Sequence, residues 1–320
     1  MFGPPRWRRY KRRGPMTSNV IVTKESTSLI SRSVLVVFCL AAGFAYRASV
    51  SLIPTGIFED AFLFGLAALL LTVAVLTRRS QNLRRYWEIP FAFFVFTVAG
   101  FAGDVSISPL QQWFIHDVLH ETPSVHNPLA STVLGTVLAQ LFGTLSLALP
   151  IILLTKASGS GLDSIFINKV RSWKWLVVGI IGFLVFFLLA AFGLSEAFFP
   201  NNGVTLSRFL ALTPALIVLV LCNGLREELW FRGLFLKKYG RFLGPLSSNM
   251  LAAIIFTSFH VQVQYSRSLP FFLGIALIQG LVLGYLMQKS GSILAPAIFH
   301  AGMDIPIFLV YLSYASTPIL

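Results

Sequence analysis

Residues 176–194 read LVVGIIGFLVFFLLAAFGL, without a single charged or amide side chain. As a helix this run rises about 28 Å at 1.5 Å per residue, close to the roughly 30 Å of a bilayer's hydrocarbon core. Lipid accepts such a surface because a helix satisfies its own backbone hydrogen bonds. The run therefore reads as a transmembrane helix. The rest of the chain repeats it. Further apolar segments lie at 33–53, 61–77, 89–103, 128–155, 206–236, 246–260, 269–288 and 292–312. This predicts an all-α, polytopic transmembrane helical bundle of about nine spans, or eight if a short one such as the seventh does not cross. Composition agrees: 56% of the 320 residues are apolar and 12% are charged, against about 25% charged in soluble domains. A mean hydropathy of +0.77 excludes a soluble globular or disordered chain.

Alternating spans from a cytoplasmic N-terminus place all 25 basic residues except Arg47, Arg208 and Arg267 on the inner side. Glu59, Asp60, Asp104, Asp117, Glu121 and Glu196 fall outside. This is the positive-inside pattern, so the net charge of +13 reports topology and not a nucleic-acid surface. Residues 1–28 form a basic cytoplasmic tail suited to an anionic membrane face. They are read as leading into a signal anchor, since no clean cleavage site follows. Residues 29–204 carry spans of unassigned role, 205–312 the membrane domain with chemistry, and 313–320 a C-terminal tail. The longest outer loop, 104–127, holds His116, His120 and His126 and reads as solvated. Cys39 and Cys222 sit in apolar runs as packing residues.

Charged groups inside a span are expensive and mark function by default. The first spans hold almost none, whereas the last ones hold Glu227, Glu228, Arg232, His260, His300 and Asp304. Glu228 and Arg232 are four apart, in the favourable order for an ion pair on one helical face. Glu227 is turned about 100° away and reads as the free carboxylate. Counting inward from the basic or polar ends of their spans places Glu227, His260 and His300 about 15–20 Å deep. Phe256 precedes His260 by one turn, and Asp304 follows His300 by one turn.

These elements, Glu227-Glu228-x-x-x-Arg232, Phe256-x-x-x-His260 and His300-x-x-x-Asp304, resemble the three motifs of the CPBP intramembrane proteases. That family includes the CAAX prenyl endopeptidases and the bacteriocin-processing, Abi-like proteins. The resemblance covers about 206–312. It implies a glutamic-type endopeptidase in which Glu227 and His260 activate a water, while His300 and Asp304 stabilise the oxyanion. It also implies Asn where this chain has Asp304, a departure that blurs the role of that position. The expected partners are a membrane-associated protein or peptide substrate and the lipid bilayer, with no nucleic acid. The expected location is the plasma membrane of a prokaryote.

No cofactor is expected. The alternative is a zinc ion on Glu227, His260 and His300, a legitimate set with one open position. Two other functions use the same residues: a proton-coupled transporter, and a non-catalytic scaffold or immunity protein. The absence of a sequence repeat weighs against the transporter.

Overall fold

The structure, a computed structural model, describes residues 28–54, 56–104, 107–124, 126–198, 203–261 and 268–315. The expected basic tail lies outside the described residues apart from Ser28, as do Arg267 and residues 316–320. Ser28 caps the first helix by accepting from the backbone N–H of Ser31 at 3.2 Å. Helices α1 (Leu29–Leu52), α2 (Ile57–Arg79), α3 (Glu88–Gly103), α4 (Pro109–Trp113), α5 (Val133–Ala157) and α6 (Trp173–Ala191) follow. Then come α7 (Leu194–Phe198), α8 (Leu206–Glu227), α9 (Leu236–Leu243), α10 (Pro245–Ser258), α11 (Leu269–Ser290) and α12 (Leu294–Tyr314). No strand occurs among the described residues. The protein is an all-α polytopic bundle.

Eight helices among the described residues are long and apolar enough to cross a membrane. The seventh segment read from sequence is α10, whose 14 residues rise only about 21 Å, short of the hydrocarbon thickness. Its direction is nonetheless clear. Asn249 donates to the Leu281 carbonyl at 2.8 Å, and Gln288 donates to the Pro245 carbonyl at 2.9 Å, so α10 and α11 are antiparallel. Likewise α12 runs antiparallel to α8, with Gly224 against Ala297 at one end and Arg208 bonded to the Ser313 carbonyl at the other. It runs parallel to α6, where Gly179 meets Ala295 and Gly182 meets Phe299.

Small residues permit these approaches, because in lipid close van der Waals packing replaces the hydrophobic drive. A Cβ on Gly224 would lie 2.5 Å from the Ala297 carbonyl oxygen, and one on Gly302 would lie 2.6 Å from the Phe183 Cα. Helix α12 is consequently the most enclosed span, with 67% of its apolar stretch buried, against 17% for α2 and α6. Helices α2 and α6 present their Leu and Phe side chains outward.

The N-terminal helices are not a separate body. Trp230 donates to the Phe96 carbonyl at 2.9 Å and stacks on the Phe96 ring at 4.7 Å. Tyr46, Phe93, Phe231, Phe235 and Phe259 join the same aromatic cluster. The chain turns at Gly244, whose φ of 82° places α9 and α10 back to back.

The loop expected outside is exposed at His116, His120 and His126, as a solvated loop should be, but one of its acids is enclosed. Glu121 is buried and accepts from the hydroxyls of Ser131 and Thr132 and from their backbone N–H groups at 2.9 and 3.2 Å. Burial alone would raise its carboxyl, but these four donors outweigh it and hold Glu121 below the usual range. His116 bonds Gln112 and the Glu121 carbonyl, and His126 stacks on Tyr314. A carboxylate satisfied by backbone donors ties the loop down, which a hydrophilic composition does not reveal.

Candidate active site

Helix α8 changes its winding between the two adjacent acids. Glu227 is the last residue of regular α-helix, and Glu228–Gly233 form a π-helical turn. Such turns are rare and concentrate at functional sites. The turn buries the whole segment from Glu228 to Gly233.

Glu228 and Arg232 pair as their spacing predicts, with Nη1 donating to Oε1 at 2.8 Å and both side chains 0% exposed. The same Oε1 receives a hydrogen bond from His300 Nδ1 at 2.9 Å. An ionised carboxylate only accepts, so Nδ1 of His300 carries the proton and Nε2 faces the other way. The guanidinium of Arg232 also lies over the Phe256 ring, 3.9 Å from its centroid. That contact gives the buried cation a second favourable neighbour. Phe256 is therefore the floor of the site: its ring also touches His260 at 4.5 Å and His300 at 5.9 Å.

Nε2 of His300 lies 3.6 Å from Glu227 Oε2 and 3.6 Å from Asp304 Oδ1. Both contacts exceed hydrogen-bond length. Asn223, one turn before Glu227, spends both amide hydrogens here: Nδ2 donates to Glu227 Oε1 at 3.0 Å and to Asp304 Oδ2 at 2.9 Å. Its Oδ1 accepts from Arg226 at 2.9 Å and from Gln140 of α5 at 3.2 Å. Two carboxylates on different helices are thus held by one amide. Glu227 is accordingly not the unpartnered carboxylate expected from helical geometry. It remains the more accessible of the two acids, 17% exposed against 0% for Glu228.

His260 follows the end of α10, where Nδ1 bonds the Phe256 carbonyl at 3.0 Å. A carbonyl only accepts, so this nitrogen bears the hydrogen and Nε2 carries the lone pair. Glu227, His260 and His300 interact electrostatically with one another. The three motifs, far apart in sequence, meet in one cluster.

Helical periodicity assigns no role in the cluster to Asn223 or Arg226. The available signal was an amide at i−4 from an intramembrane acid, with a second amide, Gln140, in another span. Among the described residues no three His, Cys, Asp or Glu side chains are grouped so as to hold a metal ion.

Residues 209–306 match the family model described as type II CAAX prenyl endopeptidase Rce1-like. The match covers less than a third of the chain and includes all three motifs. No curated protein and no solved structure matches the chain. The similarity supports an intramembrane endopeptidase of CAAX type, a multi-pass membrane protein whose substrate is a membrane-associated peptide.

Proposed function

We propose, from the similarity of residues 209–306 to the type II CAAX prenyl endopeptidases, that the chain hydrolyses a peptide bond with a water activated by Glu227 and His260. The observation that carries this reading is the convergence of Glu227 and Asp304, each at 3.6 Å, on His300 Nε2. Glu227 Oε2 takes one proton from the water as it attacks the scissile carbonyl, and the lone pair on His260 Nε2 accepts a hydrogen bond that orients the same water. His300 is fixed by Glu228 through Nδ1. Protonated at Nε2, it donates to the developing oxyanion, where scarce water strengthens the contact. Collapse of the tetrahedral intermediate returns the proton to the leaving amine. Cleavage of a panel of membrane-anchored peptides in vesicles tests the reading. Turnover that persists in a strong chelator is expected, and turnover abolished by chelation and restored by zinc would establish the zinc alternative.

Asp304 has a supporting part in this reading. It shares the Asn223 amide with Glu227 and faces His300 Nε2, so Asp304 orients the His300 ring and is not the base. Asp304→Asn keeps the shape and should retain substantial activity. Asp304→Ala should lose about 10²–10³-fold if the oxyanion contact depends on it. Equal inactivity of both variants, measured as cleavage rate at matched expression, removes this role.

The site is also proposed to lie toward the cytoplasmic face, with the N-terminus inside. A single cysteine replacing His120 should then react with an impermeant maleimide in intact cells. One replacing Arg84 should react only after permeabilisation, and the reverse pattern overturns the orientation.

A further inference from the structure

The C-terminal end of α10 is where an imidazole needs holding, because the last carbonyls of a helix have no partners within it. His260 hangs from that end on a tight turn: Phe259 and His260 donate to the Phe256 and Thr257 carbonyls at 3.1 and 3.0 Å. The Ser258 carbonyl is contacted from outside the family-matched region. Arg47 of α1 donates through Nε to it at 3.2 Å, across a sequence separation of 211 residues. The same guanidinium lies 5.9 Å from the centroid of the Phe259 ring. Tyr46 stacks on the other residue of this contact, with ring centroids 5.7 Å apart and planes 19° apart. One turn earlier, Gly43 lets α1 approach Ile255, whose side-chain carbons lie 3.1 Å from where a Cβ would stand.

Helix α1 therefore packs against the last turn of α10 and places the cation of Arg47 near the negative end of the α10 dipole. Asp104, after α3, is an acid near enough to act electrostatically on Arg47. We infer that Arg47 is a positioning residue: it caps α10 and fixes the turn that presents His260 to Glu227. The first span would then be a working part of the site. The inference rests on the reading of His260 as a water-activating residue only for its effect on turnover, since the fixing of the imidazole is measurable by itself.

Two readouts on the full chain in detergent or vesicles test it. The first is the rate at which diethyl pyrocarbonate modifies His260, followed by mass spectrometry of the His260 peptide. The second is kcat and KM on a cleaved peptide. Arg47→Ala should speed His260 modification several-fold and lower kcat about tenfold or more with KM little changed, as misplacement of a catalytic group does. Arg47→Lys, which keeps the charge on this face, should recover most of both and serves where the alanine variant folds poorly.

Arg208→Ala is the matched control. Arg208 contacts the Ser313 and Ala315 carbonyls at the end of α12, and its loss should leave both readouts at wild type. Unchanged His260 reactivity in Arg47→Ala overturns the inference, and so does faster modification with kcat intact. Failure of the wild type to cleave any peptide, with His260 reactivity still governed by Arg47, instead counts against the endopeptidase reading.

Discussion

Glu227→Gln should abolish cleavage, by about 10²–10⁴-fold, while leaving the protein folded and membrane-inserted. Removal of a positioned general base costs that much, and the substitution changes little else. The amide oxygen of Gln can still accept from Asn223, where Glu227 Oε1 now sits at 3.0 Å. Its NH₂ then occupies the place of Oε2 beside His300. What disappears is the proton acceptor and one negative charge in the cluster. The check is a cleavage assay beside a folding assay, with monodispersity in detergent and helicity by circular dichroism as the folding measures. Wild-type turnover in this variant would sink the assignment of Glu227 as base, and a collapse in folding would show that it is a structural acid.

Glu228→Gln should fail differently. Its partner Arg232 is fully enclosed, with 0% of its side chain exposed, and it has no other acceptor for Nε and Nη2 among the described residues. Breaking a buried pair from one side costs roughly 3–5 kcal/mol, because a charge stays behind without compensation. That is a large part of a typical folding free energy. The same change removes the carboxylate that fixes His300 Nδ1, so the protein that does fold should also be slow. A sharp drop in the recovered folded fraction and in thermal midpoint is expected. The double variant Glu228→Gln/Arg232→Met removes the stranded cation and should regain most of the stability but little activity, since His300 remains unanchored. If the single variant is as stable as wild type, the pair is not the keystone described here. If the double variant recovers full turnover, His300 does not depend on Glu228.

Much of this molecule was legible in its residues. Apolar length against hydrocarbon thickness decides the helical membrane class without tertiary information, because each span satisfies its own backbone. The spacing of Glu228 and Arg232 within one chain segment likewise decides that they pair, since helical geometry is local. Three motifs on three helices make their ionisable groups conspicuous, through the high cost of placing charge in lipid. What the residues could not decide is contact between helices. The π-turn after Glu227 and the bond from Glu228 to His300 depend on how α8 and α12 meet over Gly224. The service of Asn223 to two acids depends on that same approach, which backbone proximity sets and periodicity does not encode. The enclosure of Glu121 and the reach of Arg47 to the Ser258 carbonyl have the same origin. Each joins groups separated along the chain, and only the packed bundle brings a donor to its acceptor.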